Sequence, residues 1–454
     1  MSFQDQIDKA GSAYDLLSKP LPPSQIFPYP NFHTNWRDEQ EAWTKTAVLF
    51  NQSWHMTDLY IEGPDTLKLL SDTSVNSYKN FGAGRAKQYL AVNRNGYVIG
   101  DVILFGLSED LYALVGEPPA INWIQYQAEL GGYDVTLSRD DGLTYSGVIG
   151  ETPKRFFRYE IDGPNTQKIL EKATGEKLER VKFFHMTDLQ IGGRTVHALG
   201  HTMVAEPGAE NTGLELFGPE EDHESFLNAI LEAGEEFGLK QAGSMAYRTT
   251  ATASGWIPFP LPAIYDDNEE MRRYREWLPD DTAENVLGAF GLLGSFHSTK
   301  IEDYYMTPWD LGYGHMVKFD HDFIGREALE QMAAEPHGKK VWLVWNLDDT
   351  ARVLADSELN QPNRPRLLPT PASLEYYDEV RIGGQQVGLT HFHAYNGNIP
   401  AWVSLASINE DVADGATVEI LWGDHDGGER NPYIPNHTMT TIRATVHSRA
   451  PDGA

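Results

Sequence analysis

The sequence predicts a multidomain α+β fold whose C-terminal domain consists mostly of β-strands. The chain has 454 residues, and because single hydrophobic cores rarely exceed about 250 residues, two or three domains are expected. A strand–turn–helix pattern occurs twice in the first half, and β-rich runs dominate from about Val341 onwards. The 11 Trp and 19 Phe residues supply apolar material for real cores, which argues against global disorder.

The repeated pattern is a short strand, an acidic Gly-Pro turn and an apolar-faced helix. It reads YIEGPDTLKLL at residues 60–70 and YEIDGPNTQKIL at residues 159–170. The pentapeptide HMTDL also occurs twice, starting at His55 and at His185, but it precedes the first copy and follows the second. One duplication cannot carry both pairs, so the second HMTDL is interpreted as coincidence and His185 as a structural residue.

The remaining elements follow in chain order. Residues 87–116 are β-rich runs broken by Asn-Gly and Ser-Glu-Asp turns, a hairpin pattern. Residues 222–236 carry apolar side chains at helical spacing, which predicts a helix. Residues 258–286 are Pro-rich and then highly charged, which predicts a surface insertion. The last region contains the β-rich runs KKVWLVWNL, WVSLASI and GATVEILWG.

Charge and composition exclude several function classes. Asp and Glu outnumber Lys and Arg by 66 to 36, giving a net charge of −30, which repels nucleic acid and anionic membranes. The chain has no cysteine, so disulfides, thiolate nucleophiles and iron–sulfur clusters are excluded. No apolar signal core or run of about 18 apolar residues is present, so a cytoplasmic location is expected.

Generic catalytic motifs are missing from the sequence. There is no GxxxxGK[ST], no GxGxxG opening a helix, no HExxH and no GxSxG. His391 and His393 lie on one face of a predicted strand and could share a metal, but no third ligand accompanies them. Ordinary strand histidines are the favoured interpretation, and no metal site is predicted.

Several segments of the sequence resemble segments of one protein family and occur in the same order along the chain. FDHDFIGREALEQM at residues 319–332 resembles a segment of the glycine-cleavage T-protein, the tetrahydrofolate-dependent aminomethyltransferase. FNQSWHMTDLYIEGPD, NRNGYVIGDVILF and NTGLELFGP resemble other family segments, and the likeness runs from about residue 42 to residue 421. The resemblance implies a T-protein-like fold with a C-terminal β-rich, barrel-like domain and tetrahydrofolate as the cofactor.

The departures from the T-protein point to one branch of that family. Gly100 replaces one acid of the T-protein pattern while Asp101 keeps the other, which puts aminomethyl transfer in doubt. AGSMAYRTTATASGW at residues 242–256 and NQSWH at residues 51–55 instead resemble the tetrahydrofolate-dependent O-demethylases of vanillate and syringate. The expected activity is therefore a tetrahydrofolate-dependent methyl or methylene transferase that acts on an aromatic ether.

The same resemblance implies roles for single residues. Each of three residues has an alternative without a functional role. Glu215 would be an acid on a surface strand, Trp256 a residue of the hydrophobic core, and His55 a buried histidine whose hydrogen bonds are all made within the protein. The implied catalytic residues are Tyr247, His55 and Asp101, the implied cofactor-binding residues are Glu215, Trp256 and Val115, and the implied substrate-binding residues are Tyr29, Gln52 and Glu117.

The charge of Glu117 suggests what kind of ether is attacked. Family members that act on aromatic acids hold the substrate carboxylate with an arginine, at a position where this chain aligns Glu117. A carboxylate would be repelled there. The resemblance therefore predicts a neutral aromatic ether: a methoxyphenol, or a methylenedioxyphenyl lignan such as sesamin.

The chemistry assigns a proton donor. Phenoxide is a poor leaving group unless a proton or hydrogen bond stabilises it. Tyr247 is therefore the expected donor to the departing oxygen, and His55 is the second candidate or a proton relay to Tyr247. Asp101 would manage protonation of folate nitrogens. The alternatives are a folate-dependent amine or sulfonium demethylase or aminomethyltransferase, and a non-catalytic folate-binding protein.

These interpretations divide the chain into four parts. An N-terminal arm covers residues 1–41, and a first folate-binding part covers residues 42–150. A second domain, with the insertion near 258–286, covers residues 151–340. The C-terminal β-rich domain covers residues 341–454.

Overall fold

A computed structural model of the chain describes residues 2–18, 30–141, 154–206, 213–280, 282, 292–359, 363–369, 372–373, 377–430, 432 and 434–452. The helices of these residues are α1 Phe3–Ala10, α2 Ala13–Leu17, α3 Trp36–Lys45, α4 Thr66–Thr73, α5 Pro118–Gly131, α6 Thr166–Thr174, α7 His223–Gly234, α8 Ser244–Tyr247, α9 Ala251–Ser254, α10 Glu269–Trp277, α11 Arg326–Met332 and α12 Leu347–Leu359.

The strands of the first half are β1 Ala47–Asn51, β2 Thr57–Glu62, β3 Arg85–Val92, β4 Val98–Gly106, β5 Leu111–Gly116, β6 Thr136–Asp140, β7 Phe156–Asp162, β8 Met186–Ile191, β9 Arg194–Gly200, β10 Leu214–Pro219 and β11 Leu239–Ala242. Those of the second half are β12 Gly338–Trp345, β13 Ala372–Ser373, β14 Glu379–Ile382, β15 Gln385–Asn396, β16 Ala401–Asn409, β17 Thr417–Trp422 and β18 Thr440–His447.

Two sheets form the first half of the described chain. One has five strands in the order β3-β4-β5-β2-β6, all paired antiparallel. The other has six strands in the order β11-β1-β7-β10-β9-β8, and within it β1 pairs with β11 in parallel. Because β1 and β2 belong to different sheets, the short turn between them carries the chain from one sheet to the other.

The predicted strand–turn–helix repeat is confirmed, with one copy in each sheet. The first copy runs through β2 and α4, and the second through β7 and α6. The turn glycines Gly63 and Gly163 have φ of 133° and 118°. A Cβ on Gly63 would lie 2.4 Å from the Asp134 carbonyl oxygen, and one on Gly163 would lie 2.8 Å from that of Thr46. Only glycine fits both turns.

His185, in the second HMTDL, lies where the two sheets meet. The Ala86 amide donates to the Phe184 carbonyl and the Met186 amide to the Gly84 carbonyl, both at 2.9 Å, so these bonds join β3 to the start of β8. The His185 Nδ1 lies 3.0 Å from the Phe183 carbonyl oxygen in its own turn. These contacts agree with a structural role for this histidine.

The predicted C-terminal barrel-like domain is confirmed. Its sheet, within the described residues, runs β13-β15-β14-β17-β18-β12-β16, and β15 also pairs with β16. That extra pairing closes six strands into a ring and removes the open edges of the sheet. Its first strand begins at Gly338, close to the position 341 expected from the sequence. The other domain boundaries stay predictions.

The segment predicted as a surface insertion needs a correction for its described part, residues 258–280. Most of its charged residues face solvent, but Asp266 and Arg275 are buried, as are Met271 and Tyr274 of α10. The Tyr274 ring meets the Trp123 ring of α5 edge to face at 5.1 Å. Because charged residues dominate this segment, its sequence did not reveal that α10 has one apolar face. That face packs into the same core as the five-stranded sheet.

His391 and His393 point to different environments in the barrel. His393 is fully buried, with Nδ1 2.8 Å from Ser404 Oγ and Nε2 3.2 Å from Asp378 Oδ2. Neither ring nitrogen of His391 has a hydrogen-bond partner among the described residues. Burial, followed by the charge of His393, lowers the pKa of His391 to about 3.

This burial predicts that His391→Phe makes the protein more resistant to acid. In the unfolded chain the imidazole takes up a proton near pH 6.5, whereas in the fold it does so only near pH 3, so stability falls as the pH drops through this window. Denaturant unfolding at pH 7 and pH 5 should show that the variant loses about 2 kcal/mol less than the parent. The exposed His315→Gln control should behave as the parent, and equal losses in all three proteins would contradict the assignment.

Among the helices of the described ranges, none combines the length and apolar character that a bilayer span requires.

Candidate active site

Three residues implied for catalysis and substrate binding meet at the turn between the two sheets. The Tyr247 hydroxyl, at the end of α8, lies 3.0 Å from His55 Nε2, and their rings meet edge to face at 5.1 Å. Gln52, which is buried at the end of β1, hydrogen-bonds to the Tyr247 phenol and donates to Met203 Sδ at 2.8 Å. The structure therefore brings Tyr247, His55 and Gln52 into one cluster.

Hydrogen bonds to β7 fix the turn that carries His55. The Gln52 amide donates to the Arg158 carbonyl at 2.9 Å. Ser53 Oγ accepts from the Arg158 amide at 3.0 Å and can donate to its carbonyl at 3.1 Å. The turn before His55 is thus fixed to β7 by one backbone hydrogen bond and by the Ser53 side chain.

Burial sets the protonation of both partners. It lowers the pKa of His55 to about 3, with help from the positive charge of Lys154, so the imidazole is neutral at physiological pH. Burial also raises the pKa of Tyr247 well above its usual range, so the phenol keeps its proton. Three carboxylates act on that phenol in the same direction: Glu160, Glu215 and Glu117.

A buried charge cluster lies beside the Tyr247 pair. Glu215 on β10 is directly opposite Glu160 on β7, and both side chains are buried. Arg158 Nη1 donates to Glu215, and His201 Nδ1 lies 3.0 Å from Glu160 Oε2. Each carboxylate therefore has its own cationic partner, which buried acids require. The alternative of a surface strand acid is excluded for Glu215, which is 2% exposed.

The cluster continues towards β2 through Asp58. Lys154 Nζ lies 3.5 Å from Asp58 Oδ1, and Arg158 Nη2 lies 3.9 Å from Asp58 Oδ2. The Lys154 ammonium also donates to the Met56 carbonyl at 2.8 Å, one residue after His55. The charges of the cluster thus lie beside the strand segment that follows the turn carrying His55.

The spacing of three cluster residues is compatible with a cation, but their charges oppose one. Ligand atoms of Glu160, His201 and Glu215 lie within 4.8 Å of one another. Although burial opposes it, the Glu160 carboxylate raises the pKa of His201, and a protonated imidazole has no lone pair for a metal. Because Arg158 already binds Glu215, the cluster is neutralised by protein groups.

Asp101 and Trp256 meet in a small cleft with a cavity volume of about 20 Å³. Three groups donate to Asp101 Oδ2: Gln88 Nε2 at 2.5 Å, Tyr313 Oη at 3.0 Å and Trp256 Nε1 at 3.2 Å. Burial raises the pKa of the Asp101 carboxyl, and the hydrogen bonds oppose that rise. Glu117, at the start of α5, lines the same cleft. Trp256 is 38% exposed there, so the alternative of a core residue is excluded.

The structure places another implied residue, Val115, in a hydrophobic core. The Val115 side chain, on β5, is buried in an apolar cluster with Tyr60 and Phe217. A contact between Val115 and the cofactor stays a prediction, and its side chain is occupied with packing. Tyr29 lies outside the described residues.

Known proteins match this chain over most of its length. The family described as GCVT N-terminal domain matches residues 21–258, which is more than half of the chain. The chain belongs to the GCVT family. The predicted relationship to the T-protein is thereby confirmed, together with the predicted enzyme class, a transferase of one-carbon units, and the predicted cofactor, tetrahydrofolate.

Two relatives within the GCVT family have names that refer to aromatic compounds. Syringate O-demethylase of Sphingobium sp. is 42% identical to this chain over 98% of the chain and 95% of that protein. Sesamin methylene transferase of Sinomonas sp. is 29% identical over 81% of the chain and 80% of that protein. The predicted likeness to the O-demethylase branch is confirmed by both.

A solved structure with lower sequence identity to this chain has a similar fold. The glycine cleavage system aminomethyltransferase T from Bartonella henselae has a TM-score of 0.58 and 15% identity, and the match covers 96% of this chain and 95% of that chain. The predicted T-protein-like fold is confirmed by this neighbour.

Several residues of the site were not predicted from the sequence. Arg158 and Glu160 could have been noticed, because FFRYEID places three charged residues on a strand that is otherwise mostly aromatic or aliphatic. Tyr313 lies in the segment TPWDLGYGHMVKFD, more than 200 residues from Asp101 in sequence. Only the folded structure reveals the hydrogen bond between these two side chains. His201 follows β9 with no motif around it.

Proposed function

We propose that this protein transfers the methyl group of an aromatic ether to tetrahydrofolate and releases the corresponding phenol. The observation that carries the proposal is the Tyr247–His55 pair, which places a protonated phenol beside a buried acid cluster. The relatives named for syringate and sesamin support an aromatic ether as the substrate class. Methyl transfer is favoured over methylene transfer because the demethylase matches at higher identity and over more of the chain.

The residues present fit a reduced folate. Its pterin ring has several N–H groups, which need buried acceptors. Among the described residues, Glu160 Oε1 and Gln52 Oε1 are buried acceptors without a hydrogen-bond partner, and leaving such atoms unsatisfied costs about 1–3 kcal/mol each. Glu215 lies directly opposite Glu160, so the acceptors are next to the implied pterin acid.

The chain's own groups assist cleavage of the carbon–oxygen bond. When bound, tetrahydrofolate supplies a nucleophilic amine nitrogen, N5, to the methyl carbon. With its proton on Nε2, neutral His55 donates to the Tyr247 oxygen, and the phenol hydrogen is then available to the departing ether oxygen. Because burial raises the pKa of Tyr247, this residue stabilises the phenoxide mainly as a hydrogen-bond donor that keeps its proton.

The proposal is tested by turnover with a panel of methyl donors. The protein is incubated with tetrahydrofolate and guaiacol, syringate, sesamin or dimethylglycine, and the folate product is identified by mass. We expect methyltetrahydrofolate and a phenol from at least one aromatic methyl ether. A methylene product from sesamin alone would select the methylene transferase, and turnover of dimethylglycine alone would select the amine alternative. Binding of tetrahydrofolate without turnover of any donor would leave the non-catalytic alternative.

The charge of the ether is tested with Glu117→Gln. Glu117 lines the cleft and its charge acts on the Tyr247 phenol, so it repels a substrate carboxylate held near that phenol. Removing the charge should raise kcat/KM for syringate relative to guaiacol by about tenfold. The exposed acid Glu109, in the turn before β5, provides the matched control Glu109→Gln. A ratio that is the same in all three proteins would contradict the predicted role of Glu117 and the neutral-ether preference built on it.

A further inference from the structure

The helix that carries Tyr247 is too short to hold itself in place. α8 has four residues, Ser244–Tyr247, and a helix of this length is not stable on its own in water. The first amides of a helix also have no partners inside it. The position of the Tyr247 phenol therefore depends on the groups that bind the two ends of α8.

The segment that precedes α3 binds the first amides of α8. The Ser244 amide donates to the Pro30 carbonyl and the Met245 amide donates to the Asn31 carbonyl, both at 3.0 Å. These backbone bonds satisfy donors that a capping side chain satisfies in many helices. The N-terminal segment thus lies directly against the start of α8.

Glu39 of α3 joins the N-terminal segment to α8. Its side chain is fully buried, and its Oε2 accepts from the Gly243 amide at 2.9 Å. Its Oε1 accepts from the amides of His33 and Thr34 at 2.8 and 2.7 Å. A buried acid needs such donors, and hydrogen bonds to a carboxylate are stronger than those between neutral groups. Glu39 therefore fixes the residue that precedes α8 to the N-terminal segment.

Gln40, the next residue of α3, binds the chain that follows α8. Its Nε2 donates to Thr249 Oγ1 at 2.7 Å and to the Tyr395 carbonyl at 2.9 Å. Its Oε1 accepts from the Gly397 amide at 2.9 Å. Two neighbouring side chains of α3 thus hold α8 from both ends, and the second also binds the end of β15 in the barrel.

We propose that Glu39 is a positioning residue for the Tyr247 phenol, an inference that rests on the proposed function. The connection runs through Gly243, whose amide donates to Glu39 and whose carbonyl accepts from the Tyr247 amide at 3.0 Å. The phenol in turn lies 3.0 Å from His55 Nε2. A misplacement of about 1 Å at a reacting group can lower a rate by about 10²-fold. The N-terminal segment thereby takes part in the reaction through α8.

A double-mutant cycle with Tyr247→Phe tests this inference. Glu39→Gln keeps the size of the side chain but turns an NH₂ group towards backbone N–H donors, so kcat for the aromatic ether should fall about 10- to 100-fold. Tetrahydrofolate affinity should stay within about twofold, because Glu39 acts on α8. In the Tyr247→Phe background the same change should lower kcat by less than about twofold, since the phenol that Glu39 positions is already absent. A purely structural role would lower kcat by the same factor in both backgrounds.

The matched control is Glu41→Gln on the same helix. Glu41 is exposed and forms an ion pair with Lys45, so this variant should keep the parent's kcat.

Gly243→Ala disturbs the same contact without changing a charge. A Cβ on Gly243 would lie 2.3 Å from Phe32 Cα, so alanine pushes the N-terminal segment away from α8. It should lower kcat in the parent and not in Tyr247→Phe, and it gives the deciding cycle if Glu39→Gln does not fold. An unchanged kcat, or equal losses in both backgrounds, would overturn the inference while the proposed function stands. If the parent protein turns over no aromatic ether, the inference and the proposed function fail together.

Discussion

Tyr247→Phe should lower kcat for the aromatic ether by about 10²–10⁴-fold, the usual contribution of a positioned proton or hydrogen-bond donor. The variant removes only the hydroxyl that lies 3.0 Å from His55 Nε2, so the ring keeps its packing against Phe50. Tetrahydrofolate affinity should stay within about twofold of the parent value, because the phenol acts on the departing oxygen. Steady-state turnover and a binding titration on the same preparation give both numbers.

A second tyrosine–histidine pair offers a matched control. The Tyr159 hydroxyl lies 2.8 Å from His223 Nε2, and the Tyr159 ring is buried in the core between the six-stranded sheet and α7. Tyr159→Phe removes a bond of the same type and should leave turnover unchanged. If Tyr247→Phe also turned over at the parent rate, Tyr247 would not be the group that stabilises the departing oxygen.

Arg158→Met should destabilise the protein by about 3–5 kcal/mol, the usual effect of removing one partner from a buried ion pair. Arg158 is buried and binds Glu215, with Asp58 3.9 Å away, so its loss leaves the buried Glu215 carboxylate without its cation and leaves Asp58 with Lys154 alone. Methionine is chosen because the guanidinium packs over the rings of Phe105 and Phe217, and an unbranched apolar side chain can keep that packing. Denaturant unfolding of both proteins measures the difference.

The control for this variant is Arg155→Met, three residues earlier. Arg155 forms a longer ion pair, 3.7 Å from Asp140, and its side chain is 43% exposed. Surface pairs contribute about 0–1 kcal/mol, so this variant should unfold near the parent's denaturant concentration. Equal midpoints for Arg155→Met and Arg158→Met would show that the buried cluster does not stabilise the fold.

Local patterns predicted much of the fold. The Gly-Pro turns of the repeat, the hairpin at residues 87–116 and the C-terminal β-rich runs are read from spacing, because each depends on neighbours in sequence. Closure of the barrel depends instead on β15 pairing with β16 and β12 with β16, and the last of these spans more than 60 residues. The buried face of α10 was missed because charged residues dominate its composition.

The residues of the candidate site could also be predicted only in part from the sequence. Segments that resemble the family predicted Tyr247, His55 and Gln52, and the fold brings Tyr247 of α8 against the turn that carries the other two. The partners of Glu215 and Asp101 could not be predicted, because Arg158 and Tyr313 reach them across strands and domains.

The most direct test of the central claim follows the methyl carbon. An aromatic methyl ether that the protein accepts is labelled with ¹³C at the methoxyl group and incubated with the protein and tetrahydrofolate. We expect labelled methyltetrahydrofolate and the phenol to appear in equal amounts, and neither to appear without tetrahydrofolate. Phenol released with the label in methanol or formaldehyde, or released without any folate, would contradict the central claim.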